Sequence, residues 1–350
     1  MRFRNSAASR AGQLLFVGFP GATAPEVLLE CVREGRIGGV VLFRRNLETP
    51  EQLRELIGSL LSAAPADAPL LVAIDQEGGR VQRLQEPWTE WPPMRRVAAR
   101  GDPTKTAAVA AALARELREL GIGLDFAPVV DVDTNPANPV IGDRAFAATA
   151  DEVARHAAAF VTALQAGGVA ACAKHFPGHG DTAQDSHQEL PRLDHDLERL
   201  RRVELPPFRA AIRAGVASVM TAHVLLPRLD AELPATLSPA VLGLLREELG
   251  FDGVVFSDDL EMRAVADRFP IGERVLGALR AGVDALLVCS DVALWREALG
   301  VLEAAKPALL APSLRRVAAL KARFGGDATS FFASTGPPYE EHRRLARELA

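Results

Sequence analysis

Short apolar runs rich in Val, Ile, Leu and Phe recur along the chain: Leu14–Phe19, Gly39–Phe43, Leu70–Ile74, Gly123–Ala127, Val169–Ala173, Ser218–Ala222, Gly253–Phe256 and Asp284–Val288. Their hydrophobicity is nearly continuous rather than alternating, as in strands covered on both faces. Between them lie segments of helical spacing. Thr104–Leu120 stops at Gly121, Asp151–Gln165 at Gly167-Gly168, and Pro206–Ala214 at Gly215. A helix opened by Ser238-Pro239 ends at Gly250, Ile271–Arg280 stops at Gly282, and Pro312–Phe324 reads as a last helix. Ser at the cap, Pro in the first turn and Gly past the end are the expected boundary residues. Strand then helix, eight times over, predicts a parallel sheet in an α/β fold. Eight units favour a single closed (β/α)8 barrel of the TIM type, with the first strands its least regular part. No Gly-x-Gly-x-x-Gly follows the first strand, which argues against a dinucleotide-binding sheet. Residues 1–350 read as one catalytic domain, with a core over about 12–324 and a tail over 325–350 that contains no second domain.

Composition narrows the class. Of 350 residues, 48% are hydrophobic and 24% charged, which is ordinary globular usage. Lys plus Arg is 40 against 45 Asp plus Glu, a net charge of −5, so nothing draws the chain as a whole to nucleic acid or anionic lipid. No apolar run reaches the ~18 residues of a membrane span, and LLFVGF near the N-terminus is short for a signal peptide. The three cysteines, Cys31, Cys172 and Cys289, are far apart and sit in or beside apolar segments, which reads as buried thiols in the cytoplasm. No interface is suggested, and a monomer is expected.

In such barrels the chemistry is built at the C-terminal strand ends. Asp75 ends the third strand; Asp131 and Arg144 follow the fourth. Lys174 and His175 end the fifth, His223 the sixth, and Asp258 and Asp259 the seventh. One charge at a strand end is usually a solvated terminus; charges at five ends on one side of the barrel point to a site. Asp258 follows DGVVFS without a turn, so its carboxylate stands on a rigid element, as a nucleophile or cation stabiliser must. Strand alternation would turn Asp259 away from it, as a helix cap or support. Phe176–His187 is polar, glycine-rich and expected to be mobile. In it, Asp185 and His187 stand two apart, and a carboxylate beside an imidazole raises its pKa and makes a general acid. Arg83, Arg144, Lys174 and His175 are donors and Asp75 an acceptor, a set that suits a neutral, hydroxyl-rich substrate. Trp88, Trp91, Phe126, Phe146 and Phe176 could stack on a sugar, although packing is the commoner role of such residues. His175, His179, Asp181 and His187 are also metal-ligand types, but there is no His-x-His on the first strand and no Cys pair, and Lys174 would oppose a cation. No metal and no cofactor are expected.

The motifs AIDQEGGRVQRL, GIGLDFAPVVDV, NPVIGDRAF, KHFPGHGDTAQDSH, VMTAHV, PATLS and GFDGVVFSDDLEM, in this order, resemble the glycoside hydrolase family 3 β-N-acetylhexosaminidases. The resemblance implies a retaining exo-β-N-acetylglucosaminidase that works through a covalent glycosyl-enzyme. Asp258 matches the nucleophile, His187 the acid/base and Asp185 its dyad partner. Asp75, Arg83, Arg144, Lys174 and His175 match sugar-binding positions, and His223 matches the VMTAH segment. Single-domain members act in the cytoplasm on muropeptide fragments, so an N-acetylglucosamine-containing oligosaccharide is the implied substrate.

Two readings keep the same nucleophile: a β-N-acetylglucosaminide phosphorylase, in which phosphate replaces water, and a family 3 β-glucosidase. The glucosidases typically carry Trp after the nucleophile and take their acid from a second domain, whereas Asp259 stands there in this chain. A non-catalytic sugar-binding protein would bind without turnover, and a metal-dependent hydrolase would lose activity to a chelator.

Overall fold

The structure, a computed structural model, describes residues 7–186, 188–325 and 336–350. Eight parallel strands close into a barrel: β1 (Leu15–Val17), β2 (Gly39–Leu42), β3 (Leu71–Ile74), β4 (Leu124–Asp125), β5 (Ala170–Phe176), β6 (Ser218–Thr221), β7 (Val254–Asp259) and β8 (Ala285–Val288). Each strand pairs with its neighbours in sequence, and β8 returns to β1. The main helices between and after them are α1 (Glu26–Arg33), α2 (Pro50–Ala63), α3 (Pro103–Glu119), α4 (Ala150–Ala166), α5 (Leu205–Arg213), α6 (Pro239–Gly243), α7 (Ile271–Ala281) and α8 (Val292–Ala304). This is the (β/α)8 architecture that the alternation of apolar runs and helical segments predicts.

Local chemistry sets the boundaries. The Thr49 and Asp102 side chains accept the Gln52 and Thr104 amides, and Pro50 and Pro103 occupy the first turns of α2 and α3. Gly282 ends α7 at φ 114°, a conformation that a side chain would disfavour. Apolar side chains fill the barrel interior, where Phe256 meets Phe16 and Phe126 edge-on at 4.9 and 5.4 Å. At the base, the buried Lys321 ammonium donates to Gln13 Oε1 at 2.6 Å and to the Pro69 carbonyl at 3.0 Å. Burial pushes its pKa down to about 7.

Some boundaries differ from the sequence reading. The regular part of β4 is only two residues long: Pro128, with no N–H, cannot extend the ladder to β3, although pairing with β5 goes on through Val129 opposite Lys174. β5 runs through Lys174 and His175, which end it as expected, and on to Phe176. The irregularities fall elsewhere than in the first strands: β1 and β2 pair in unbroken register. The register shifts are in β5, between Lys174 and Phe176, and between β7 and β8. α9 (Pro307–Phe324) starts five residues before Pro312, which it carries inside, so the proline that marks its start is Pro307. Part of the tail, residues 326–335, lies outside the described residues; its end forms α10 (Glu340–Leu349). There, Tyr339 and His342 bond Glu119 and Glu116 of α3 at 2.6 Å each.

Candidate active site

At the C-terminal end of the strands is a cavity of about 370 Å³, within the ~300–1,000 Å³ typical of small-ligand pockets. Asp75, Arg83, Arg144, Lys174, His175 and Asp258 all line it. A depression of about 440 Å³ at the opposite end, by the starts of β6 and β7, is lined by Asp252, Arg315, Arg316 and Arg323. It lacks the buried charges that distinguish the first.

Two strand irregularities build the cavity wall. Adjacent strand residues normally face opposite ways. In β5 the bulge after Lys174 lets Lys174 and His175 both reach the cavity. In β7 three residues, Phe256 to Asp259, pass while β8 advances two, Ala285 to Leu287. Asp259 is thereby a lining residue of the cavity beside Asp258, while its carboxylate accepts the Glu261 amide at 3.1 Å, in keeping with the capping role expected of it. An Asp258 oxygen accepts the Asp259 amide at 2.8 Å. Burial and the neighbouring Glu261 and Asp258 charges raise the Asp259 carboxyl to about 7.

Opposite stands a ladder of charges. Lys174 Nζ is 2.8 Å from Asp75 and 2.6 Å from Glu77. Arg144 meets Glu77 through two bonds of 2.9 Å, and Arg83 meets Asp75 at 3.1 Å. Burial alone would raise both carboxyls, but the cations prevail. Asp75 is held well below the usual range by Lys174 and Arg83, and Glu77 at about 2 by Arg144 and Lys174. Lys174 is raised in turn: Asp75 and Glu77 outweigh its desolvation. Arg83 Nε is buried with no hydrogen-bond partner among the described residues, a donor that a ligand could satisfy. The buried Asp131 accepts the His175 amide at 3.2 Å and His175 Nδ1 at 2.8 Å, which leaves Nε2 for any bond from this ring to a ligand.

The turn after β3 is folded by Gln76. Its Oε1 accepts the Arg83 and Leu84 amides at 2.8 and 3.0 Å, its Nε2 donates to the Leu84 carbonyl at 3.0 Å, and its own amide donates to buried Asp125 at 2.9 Å. Asp75, Glu77 and Arg83 thereby converge from one short segment. Gln76→Ala removes three of these bonds. It is expected to cost about 1–3 kcal/mol and to raise KM more than it lowers kcat, as urea unfolding and steady-state kinetics would show.

The remaining sequence candidates separate. His223 is not among the cavity-lining residues; it is buried, with Nδ1 2.7 Å from Thr236 Oγ1 and Nε2 2.9 Å from the Asp259 carbonyl. It braces the backbone at the end of β7. Asp185 sits in a turn whose carbonyl accepts the Gln188 and Glu189 amides at 2.9 and 3.0 Å, and Ser186 beside it lines the cavity. His187 lies outside the described residues. Of the aromatics, Phe126 lines the cavity, whereas Trp88, Trp91, Phe146 and Phe176 are buried packing. Phe43, which the sequence reading passed over, lines it too, with the Arg45 guanidinium 4.4 Å from its ring centre. Glu77 and Asp259 were also missed as lining residues, and Asp131 as the partner of His175. Glu77 was findable, because it stands two residues after Asp75. Two of the four metal-ligand types are engaged elsewhere: both His179 ring nitrogens bond hydroxyls, and Asp181 faces Thr134 and His195.

The family model described as "Glycosyl hydrolase family 3 N terminal domain" matches residues 8–320. A beta-hexosaminidase of Methylococcus capsulatus is 43% identical over 303 residues, covering 85% of this chain and 88% of the relative. One from Thiobacillus denitrificans is 43% identical over 288 residues, covering 80% and 79%. Among solved structures, a glycoside hydrolase family 3 beta-N-acetylglucosaminidase from Paenibacillus sp. superposes with a TM-score of 0.92 at 41% identity, over 99% of this chain and 68% of that one. Native NagZ from Neisseria gonorrhoeae gives 0.83 at 33% identity, over 96% and 97%. The family match runs through all eight strands and every motif that furnishes the cavity, so the chain belongs to glycosyl hydrolase family 3 and is a glycoside hydrolase.

Proposed function

We propose that the protein removes terminal β-linked N-acetylglucosamine from cell-wall muropeptide fragments with net retention. The observation that carries this reading is Asp258, fixed at the end of β7, facing a cavity that also holds the Asp75–Lys174–Glu77–Arg144 ladder. Donors and acceptors already balanced in charge suit neutral hydroxyls. In the first step an Asp258 oxygen attacks C1, the bond from C1 to the aglycone oxygen breaks, and the His187 imidazolium gives that oxygen its proton. In the second, neutral His187 takes a proton from water. The water oxygen attacks C1, and the bond to Asp258 breaks to release the β-hemiacetal. Asp185 stabilises the imidazolium. A pair of carboxylates is the usual retaining design, and a histidine acid is a departure from it. The names of the hexosaminidase and N-acetylglucosaminidase relatives support the sugar.

Water is favoured over phosphate as acceptor because the three cations Lys174, Arg144 and Arg83 are balanced only with Asp75, Glu77 and the Asp258 carboxylate counted together, which leaves the cavity no net positive charge for an anion. Added phosphate is therefore expected to leave the rate unchanged and to yield no sugar 1-phosphate. The reading places the enzyme in the cytoplasm as a monomer. Three buried free cysteines suit a reducing compartment, and no helix among the described residues is long and apolar enough to cross a membrane. The acid is tested by leaving group. His187→Ala is expected to lose about 10²–10⁴-fold on a disaccharide, whose aglycone needs a proton, and far less on the p-nitrophenyl glycoside. Equal losses on both would remove His187 from this role.

A further inference from the structure

The segment between Phe176 and Gln188 carries a histidine that the reaction above does not use. His179 is 1% exposed and held at every polar atom. Its amide donates to Asp131 at 2.7 Å, and its carbonyl accepts from Asn138 at 2.8 Å. Its Nδ1 is 2.8 Å from Thr182 Oγ1, and its Nε2 is 3.0 Å from Ser186 Oγ. The ring thus spans the base of the segment and ends on the residue next to Asp185. Ser186 in turn accepts, through its carbonyl, the Ala264 amide at 3.4 Å, on the stretch that follows β7. Gly180 seals the other side: a Cβ there would come within 1.9 Å of the Val132 carbonyl, so the segment lies flat on the chain leaving β4.

We propose that His179 and Ser186 are positioning residues: the hydrogen bond between them holds the Asp185-bearing segment against the wall that carries Asp258, and so sets the efficiency of proton delivery to the leaving group. The role asks for a neutral ring, which pairs one donor and one acceptor with two hydroxyls. Burial and the neighbouring His175 push the His179 pKa down to about 4, so the ring is neutral in the working range. Asp131 adds the connection to the sugar-binding side, because the same carboxylate grips His175. A displacement of about 1 Å in a catalytic group can cost 10²-fold, so a strut of this kind has measurable leverage.

The inference rests on His187 as the acid, and the test separates the two. The full chain is assayed on p-nitrophenyl N-acetyl-β-glucosaminide and on N,N′-diacetylchitobiose, and the ratio of the two kcat/KM values is compared across variants. Ser186→Ala and His179→Phe are expected to raise that ratio at least tenfold, and Ser186→Thr, which keeps the hydroxyl, to bring it back toward wild type. A purely structural bond would lower both rates in proportion; an unchanged ratio in Ser186→Ala beside a raised one in His187→Ala overturns the proposal. An unchanged ratio in His187→Ala removes the acid assignment itself and the proposal with it.

Discussion

Asp258→Ala is expected to lower kcat/KM on the p-nitrophenyl glycoside by roughly 10⁴–10⁶-fold, the scale on which removing a covalent nucleophile acts. The loss should exceed that of any other single replacement in the cavity. No neighbour can take over: Asp259 lines the same cavity, but its oxygen accepts the Glu261 amide at 3.1 Å, and its carboxyl, raised to about 7, is partly protonated near neutrality. The smaller variant Asp258→Gly leaves room for an added nucleophile. Azide should restore part of its rate and give the α-glycosyl azide, because a single displacement then replaces two. A variant at Asp258 that turns over at wild-type rates would move the chemistry to another carboxylate.

Lys174→Met should be the most damaging replacement on the opposite wall. It keeps the length and burial of the side chain but removes the charge that lies 2.8 Å from Asp75 and 2.6 Å from Glu77. Breaking a buried ion pair costs about 3–5 kcal/mol, because the surviving charges stay buried. Substrate binding should fall with stability, since Asp75 loses one of its two cationic partners. The pH dependence has a definite sign. Glu77 sits at about 2 against an ordinary 4.5, and Asp75 is likewise depressed, so their contribution is complete above about pH 4.5 and is lost as pH falls toward 2. Lys174 is raised above its ordinary 10.5, so its share persists throughout that range. The stability gap between wild type and Lys174→Met, read by urea unfolding, should therefore be widest near neutrality and narrow at about pH 3. A gap that does not change with pH would mean that the ladder contributes through packing alone.

The barrel was legible in the sequence because parallel strands buried on both faces cannot hide their apolar runs, and all eight fell where those runs lie. What escaped were features that depend on register. Lys174 and His175 were placed in the site by their strand-end position, but the bulge in β5 that lets both reach it was not visible, nor was the one in β7 that makes Asp259 a lining residue beside Asp258. Asp131 was visible as a charge after the fourth strand, but its grip on His175 and His179 joins residues 44 and 48 positions apart in the chain. His223 misled for the converse reason: a strand-end histidine looks like a ligand group until its two ring nitrogens are found on Thr236 and on the backbone of Asp259. Gln76 carries no charge and was passed over, although its one amide folds the turn that delivers Asp75, Glu77 and Arg83.

The central claim is a covalent intermediate on Asp258. It is tested most directly by incubating the enzyme with a slowly hydrolysed, fluorinated N-acetyl-β-glucosaminyl donor and mapping the adduct by peptide mass spectrometry. The account predicts one glycosyl group per chain, on the peptide containing Asp258, lost on reactivation and absent from Asp258→Ala. An adduct on a different carboxylate would contradict it. So would retention of configuration with no enzyme adduct, because the substrate's own acetamido oxygen would then be the nucleophile.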